Sequence, residues 1–332
     1  MIRRALSLLA SCFVVAACTS STSSSGADAG RVSADQACAD LAHARCHALE
    51  TCAPPRIQIA YGDEAICETR VKEECVAAQA APSTGATPAA TEACAGAFAS
   101  WACSDLLDDT HTPAACAQVT GALASGAACA FSGQCPSGFC AIAPAAACGT
   151  CAAVPKAGDS CADLAGCGPG MTCTVDTQTC QPYLAQGGAC SKGLPCGAGL
   201  SCVGADSATG KTGTCQAAVA MQGAACDPTQ KTGPGCDRDR GLVCNVTSKQ
   251  CEPMVVAGGG QPCGLVGGQI TVCGSSGVCT GATATTPGTC TAAAADGATC
   301  STPGLRGCET PARCVGTGAT GTCEMPGPSA CH

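Results

Sequence analysis

The pattern of apolar and polar positions divides the chain into three zones. A short apolar run, Ala5 to Val15, follows the positively charged start Met1-Ile-Arg-Arg4. From about Ser33 to Cys116, strong helix formers recur, and Ser33 and Asp63 stand where helices would begin. From Gly121 onward these signals end, and Gly, Pro, Thr and Ser dominate. The pattern predicts helices in the second zone and short strands joined by turns in the third.

The cysteines of the helical zone are spaced for a small, clipped bundle. Two pairs are eight residues apart, which places both members of a pair within about 80° on one helix face. The even number allows four bridges between the elements. The eight cysteines are Cys38, Cys46, Cys52, Cys67, Cys75, Cys94, Cys103 and Cys116.

A third helix is expected around residues 91–107, after the Pro/Thr/Gly/Ala stretch of residues 81–90. Trp101, Phe98 and Tyr61 are predicted to be the only large core residues of this bundle of three or so helices.

Six Gly-x-x-Cys steps mark the third zone, and each opens a unit of four cysteines. The steps recur every 29 to 37 residues, which indicates an array of small modules, each with internal disulfides. Each unit is expected to form a β-hairpin with a leading loop. Four cysteines allow three connectivities, and the sequence leaves them open, with first-to-third and second-to-fourth as a working guess. The six glycines are Gly126, Gly158, Gly187, Gly223, Gly260 and Gly297.

Two cysteines are left over when the units are aligned. With Cys12 and Cys18 assigned to the leader, eight cysteines belong to the helical zone and 24 to the units, which leaves Cys148 and Cys331. We predict that these two form a long-range disulfide. A redox role for Cys148-Gly-Thr-Cys151 is disfavoured because Cys151 aligns with the fourth position of its unit. The best-defined repeat framework comprises Cys161, Cys167, Cys173, Cys180, Cys190, Cys196, Cys202 and Cys215.

The N-terminal apolar run is too short to span a bilayer and is typical of a signal peptide. It ends in Val15-Ala-Ala-Cys18, which resembles the lipobox of bacterial lipoproteins. The resemblance implies cleavage before Cys18, lipidation of Cys18 and stable membrane anchoring by several acyl chains. Thr19 rather than Asp follows, so outer-membrane sorting is expected. An ordinary secretory signal with a coincidental cysteine is the alternative.

Composition excludes a conventional core and several classes of function. The chain has 36 cysteines among 332 residues, 2% aromatic residues and a formal net charge of −8. An acidic, aromatic-poor surface argues against nucleic-acid binding. The run Asp237-Arg-Asp-Arg240 is interpreted as a solvated turn. No set of catalytic residues has a plausible context, so we expect no enzymatic activity and no cofactor.

Two histidines deserve a separate test as metal ligands. His43 and His47 are four apart in a predicted helix, where they could face one ion. The glutamate of the metalloprotease motif is replaced by Ala44, and the first cysteine of a haem attachment motif is absent. Exposed helix histidines are therefore favoured, and no metal site is predicted.

The units resemble cysteine-rich repeats of the Dickkopf N-terminal-like or EB type. The residues that carry the resemblance are Cys196-Gly-Ala-Gly-Leu-Ser-Cys202 with Thr214-Cys215, and Cys167-Gly-Pro-Gly-Met-Thr-Cys173 with Thr179-Cys180. The resemblance covers about 60% of the chain and implies the disulfide framework. It does not imply the receptor partners of the animal proteins, because function resides in sites that a shared framework does not carry.

The predicted fold is small and disulfide-rich: a helical cysteine-clipped bundle followed by an array of six short β-hairpin modules, stacked as an elongated rod. The predicted boundaries are a lipoprotein signal peptide (1–17), a flexible tether (18–30), a helical eight-cysteine domain (31–120), six repeats (121–325) and a tail (326–332). The predicted function is a non-catalytic envelope protein that is lipid-anchored in the membrane and serves as a spacer or protein-binding surface, with an unknown protein or envelope partner. The alternative is a protease inhibitor that acts through the Cys202–Cys215 loop, and metal sequestration is a third possibility.

Overall fold

The computed structural model describes residues 32–162, 166–174, 176–191, 193–301, 307–328 and 331. The predicted signal peptide, Cys18 and the tether lie outside the described residues. These described residues belong to one compact unit.

The N-terminal part of this unit is helical, as predicted. Ser33 caps the first helix, because its hydroxyl accepts the N–H of Gln36 at 3.1 Å. Asp63 caps another helix by accepting the N–H of Ile66 at 2.8 Å. Both predicted caps are confirmed. The helices are α1 (Ala34–Cys52), α2 (Pro54–Ala60), α3 (Glu64–Ala80), α4 (Pro88–Ala97) and α5 (Cys103–Asp108).

Two disulfides clip α1 to α3. Cys38 is bonded to Cys75 and Cys46 to Cys67, with Cα–Cα distances of 5.5 and 6.0 Å. The order of the partners is reversed, so the two helices run antiparallel. The eight-residue spacing therefore places two sulfurs of one helix opposite two of the other. Further disulfides join Cys52 to Cys103 and Cys94 to Cys116.

The single third helix that was predicted over residues 91–107 is wrong. The chain leaves α4, makes a 3₁₀ turn at Phe98–Ser100, and begins α5 only at Cys103. Trp101 is extended at this break, and its indole N–H donates to the carbonyl of Thr110 at 3.1 Å. A partly buried indole N–H usually has a hydrogen-bond partner, and Thr110 provides it here, beyond the break.

The predicted set of core residues is also incomplete. The centre of the observed core is a cluster of Ala42, Cys46, Ile57, Cys67 and Val71, against which Leu49 and Tyr61 pack. Phe98 is buried and lies on Trp101 with ring centroids 5.5 Å apart. Aliphatic side chains packed beside a disulfide thus fill the part of the core that the prediction gave to the aromatic residues alone.

The remainder of the chain forms small, mostly antiparallel sheets. In the described residues the sheet orders are β1-β3-β2, β4-β5, β6-β8-β7, β9-β10, β11-β13-β12-β15-β14 and β16-β18-β17, and only β11 with β13 is a parallel strand pair. The strands are β1 (Ala128–Cys129), β2 (Cys140–Ala141), β3 (Gly149–Cys151), β4 (Met171–Cys173), β5 (Cys180–Pro182), β6 (Ala189–Cys190), β7 (Leu200–Val203), β8 (Gly213–Ala217), β9 (Leu242–Cys244), β10 (Cys251–Pro253), β11 (Val255–Ala257), β12 (Pro262–Val266), β13 (Gln269–Cys273), β14 (Val278–Thr280), β15 (Gly288–Thr291), β16 (Thr299–Ser301), β17 (Arg313–Val315) and β18 (Thr320–Glu324).

One disulfide pattern recurs in every four-cysteine unit: the first cysteine is bonded to the third, and the second to the fourth. The third and fourth cysteines face each other across a hairpin, as Cys202 and Cys215 do, yet each is bonded to the leading loop. The disulfides therefore join the hairpin to its leading loop and do not join the two strands of the hairpin to each other. The bonds are 129–140, 135–151, 161–173, 167–180, 190–202, 196–215, 226–244, 236–251, 263–279, 273–290, 300–314 and 308–323.

The Gly-x-x-Cys step is a turn that closes each unit. Gly260 has φ +80°, and its N–H donates to the carbonyl of Cys290, the fourth cysteine of the unit, at 2.7 Å. The next residue, Gln261, donates to the carbonyl of Gly258, which makes Gly260 the third residue of a type II turn. The same bond and a positive φ occur at all six glycines. A Cβ on Gly260 would meet no atom within 4 Å, so backbone conformation rather than space requires the glycine.

Consecutive units are joined by short parallel bridges. The residue four positions after the last cysteine of one unit pairs with the second cysteine of the next, as in Leu184 with Cys196, Val219 with Cys236 and Ala294 with Cys308. Strand β11 instead makes a three-residue parallel contact with β13, in which Ala257, six positions after Cys251, pairs with Cys273. The four linkers that follow the Cys161 unit are therefore held by backbone hydrogen bonds.

The units contact the helical region along much of its surface. Each unit is named hereafter by its first cysteine. In the Cys129 unit, the carbonyl of Gly133 accepts a hydrogen bond from the N–H of Gly85, at 2.8 Å. The Cys263 unit donates the N–H of Ser275 to the carbonyl of Gln58 in α2, at 2.9 Å.

The two ends of the array also meet. The N–H of Gly316 in the Cys300 unit donates to the carbonyl of Ala145 in the Cys129 unit, at 3.2 Å. Cys148 is bonded to Cys331, with a Cα–Cα distance of 5.5 Å across 183 residues of sequence. A rod cannot bring its ends into contact, so the expected elongated rod is wrong. The linkers instead bend the array around the helices.

Candidate functional site

A cleft of about 560 Å³ lies between the helical region and two neighbouring units, the Cys190 unit and the Cys226 unit. It adjoins a second cavity of about 380 Å³, and both are bordered by Ala198, Gly199, Asp237 and Asp239. Helices α1, α2 and α5 form one wall. The Cys52–Cys103 disulfide fixes the spacing of that wall, because it joins the end of α1 to the start of α5.

Asp239 is the central carboxylate of this cleft. One oxygen accepts from Arg56 of α2, with distances of 3.2 Å to Nε and 3.0 Å to Nη2. The other accepts the N–H of Gly199 at 3.3 Å. The third Arg56 nitrogen donates to the carbonyl of Leu107 at 3.3 Å. This one ion pair thus joins α2, the end of α5 and both units.

Asp108, at the end of α5, anchors the Cys190 unit. Its two carboxylate oxygens both lie 2.9 Å from the N–H of Ala198. Burial raises the pKa of Asp108, the Ala198 N–H opposes this, and the charge of Asp239 adds to the rise. A Cβ on Gly197 would lie 2.5 Å from the Asp108 carboxylate, so glycine at this position permits the close approach.

Asp237 completes the set of carboxylates. It is buried, and its carboxylate accepts the N–H groups of Asp239 and Arg240 at 3.1 and 3.4 Å. The prediction that residues 237–240 form a solvated turn is therefore wrong at Asp237, and the Asp239 side chain is only 21% exposed. The polar groups of the cleft hold three parts of the fold together. The recess between these parts is lined by the charged side chains of Asp237, Asp239 and Arg240.

Sequence reasoning missed Arg56, Asp108 and Asp239. Arg56 and Asp239 are 183 residues apart, and Asp108 and Ala198 are 90 apart. The alternating charges at 237–240 stand out in a chain with few charged residues (12%), but they do not indicate which residues they contact.

The structure places the predicted disulfide residues as follows. Cys148 and Cys331 are joined to each other, and the eight framework cysteines form the bonds 161–173, 167–180, 190–202 and 196–215. The predicted lipidation residue, Cys18, lies outside the described residues.

Cysteine sulfurs gather in groups of three within 4.8 Å, for example at Cys129, Cys135 and Cys151. The sulfurs of this group belong to two disulfides. A disulfide sulfur is not a thiolate, which is the form that binds zinc. These groups are structural crosslinks in the oxidised protein.

No protein-family model, no curated protein and no solved structure matches this chain. The resemblance to Dickkopf-like or EB-type repeats and to lipoproteins therefore depends on the motifs in the sequence itself.

Proposed function

We propose that the protein is a non-catalytic, lipid-anchored envelope protein whose disulfide-bonded surface serves as a spacer or a protein-binding platform. The observation that carries the proposal is covalent: seventeen disulfides hold the described residues, and one of them, Cys148–Cys331, joins the two ends of the array. A scaffold of this kind resists proteolysis and presents its loops in fixed positions. In this interpretation the array comprises six hairpin modules of the Dickkopf-like type.

Export is supported by the disulfides themselves. Disulfide-rich folds of this density form and persist in oxidising compartments outside the cytosol. Among the described residues, no helix combines the length and apolar character that a membrane span requires. We assign anchoring to Cys18 because Val15-Ala-Ala-Cys18 resembles a lipobox, and residues 19–30 would act as the tether.

Fractionation of cells tests the anchor. Replacing Cys18 with Ala is expected to move the protein from the membrane fraction to the soluble fraction. The matched control replaces Cys12, the other leader cysteine, with Ala and should leave the protein in the membrane fraction. Membrane association of the Cys18→Ala variant equal to that of the wild type would exclude lipid anchoring.

The binding surface is tested with a photo-crosslinking residue in the cleft. Gln222 and Ser104 line it. A crosslinker at Gln222 is expected to capture a specific partner in living cells, and Ser248, on the Cys226 unit outside the cleft, serves as the control position. Identical capture at both positions would contradict a binding role for the cleft.

A protease inhibitor is the second candidate, and the Cys202–Cys215 loop favours it. Reciprocal hydrogen bonds of 2.9 and 3.0 Å join Asp206 and Lys211, and the tip between them is exposed. A rigid, exposed tip between disulfide-bonded strands is the geometry with which small proteins block proteases. Incubation with a panel of proteases distinguishes the two candidates: stoichiometric inhibition that Lys211→Ala abolishes favours the inhibitor, and resistance without inhibition favours the scaffold.

A further inference from the structure

Two histidines of α1 stack on the side that faces α3. His43 and His47 are one helical turn apart, and their rings lie 6.0 Å between centroids with an interplanar angle of 17°. Their side chains are 71% and 68% exposed. Both imidazoles are therefore parallel, adjacent and accessible to a hydrated ion.

Each imidazole is oriented by a carboxylate from α3. The Nδ1 of His43 lies 2.6 Å from Oε1 of Glu68, and the Nδ1 of His47 lies 3.3 Å from Oε1 of Glu64. The two glutamates are also one turn apart. Because α1 and α3 run antiparallel, the two pairs form successive rungs across the helices.

A disulfide lies within this arrangement. Cys46 precedes His47, Cys67 precedes Glu68, and the two cysteines are bonded with a Cα–Cα distance of 6.0 Å. The bond fixes the separation and register of the helices at the rungs. The histidines and glutamates are thereby preorganised without an ion.

We propose that His43 and His47 bind a divalent transition-metal ion of the zinc, nickel or copper class through their Nε2 atoms. A carboxylate that accepts the Nδ1–H leaves the Nε2 lone pair free for a metal, and this carboxylate–histidine pairing is the usual outer shell of metal sites. Histidines at positions i and i+4 of a helix present both nitrogens on one face. Imidazole nitrogen suits this class of ion, and Glu64 and Glu68 supply compensating negative charge.

The test is calorimetric titration of the mature, oxidised protein with ZnCl₂ and NiCl₂ at pH 8, because a metal ion binds the deprotonated nitrogen of its ligands. The wild type is expected to bind one ion per chain. His43→Ala and His47→Ala should each weaken binding at least about 10-fold. Glu68→Gln keeps both nitrogen ligands and should weaken binding about 10- to 100-fold, as outer-shell changes do.

His111 provides the matched control. It is exposed, and its Nδ1 lies 2.8 Å from Asp105, but no other histidine among the described residues stacks on it. His111→Ala should leave the affinity unchanged. The proposal is overturned if the wild type binds no stoichiometric ion, if the His43→Ala and His47→Ala variants bind as tightly as the wild type, or if His111→Ala weakens binding equally. Circular dichroism of each variant checks that the helix content of the protein is unchanged.

Discussion

Arg70 determines how firmly the helical region holds the end of the array. Its side chain is 11% exposed and extends from α3 toward the Cys300 unit. It donates to both oxygens of Asp296 at 2.5 and 2.8 Å, and to the carbonyls of Glu309 and Thr310 at 3.1 Å each. Replacing Arg70 with Met keeps most of the apolar stem but removes every one of these donors.

The expected loss follows from burial. Breaking one partner of a buried ion pair costs about 3–5 kcal/mol. The Asp296 side chain is 41% exposed, so water replaces part of what it loses. Glu309 is exposed and Thr310 is half-buried, so water also replaces part of the hydrogen bonding that their two carbonyls lose. We therefore expect Arg70→Met to reduce the free energy of unfolding by about 2–3 kcal/mol.

Arg56 supplies the matched control, because it also joins a helix to an aspartate of the array. Its side chain is 47% exposed, so Arg56→Met should cost less than about 1 kcal/mol. The assay is urea unfolding of the oxidised protein at pH 7, followed by Trp101 fluorescence; urea is uncharged and does not screen the pairs. A loss for Arg70→Met no greater than that for Arg56→Met would refute the reasoning.

Three further outcomes are expected. Gly260→Ala places a side chain at positive φ and should destabilise the turn by about 1–2 kcal/mol. The Cys290 N–H donates to the carbonyl of Gln261 in this turn, so its hydrogen-exchange rate should rise about 5- to 30-fold. Gly258→Ala, with open space and ordinary φ, should leave that exchange rate nearly unchanged. Arg70 lowers the pKa of Asp296, so the ionised carboxylate stabilises the fold at pH values above its unfolded pKa. This stability is lost as the pH falls through the folded pKa. The difference in unfolding free energy between wild type and Asp296→Asn should therefore be largest near pH 6 and shrink below about pH 4. Full reduction before heating should lower the melting temperature sharply, and equal melting of reduced and oxidised protein would contradict a fold held by disulfides.

Local signals in the sequence predicted the local structure well. The caps at Ser33 and Asp63 and the eight-residue spacing of Cys38 and Cys46 each depend on residues within two or three helical turns. The Gly-x-x-Cys step is local in the same sense, although its physical reason, a positive φ and a bond to the fourth cysteine, became visible only in the structure.

The arrangement of the parts was not predictable from such signals. The path of the array depends on the orientation of each linker, and a small error at one parallel bridge accumulates along the units. Arg56 and Asp239 look like ordinary solvated charges in the sequence, because nothing near either residue encodes the other. Glu64 and Glu68 were missed for the same reason: only the antiparallel pairing of α1 and α3 brings them to His43 and His47.

The Cys148–Cys331 bond closes the array into a covalent ring. Lys156 is the one lysine in the sequence that lies between two of the four-cysteine units, so a lysine-specific protease can open the ring only there. Cuts at the other lysines lie within disulfide-bonded regions and separate nothing.

Native digestion with that protease, followed by a denaturing gel without reductant, tests the closure directly. The cut wild type is predicted to remain one covalent species that divides only on reduction. The double variant Cys148→Ser, Cys331→Ser is predicted to divide without reductant into one piece that ends at residue 156 and another that begins at residue 157. Division of the oxidised wild type into these two pieces would contradict the closed ring.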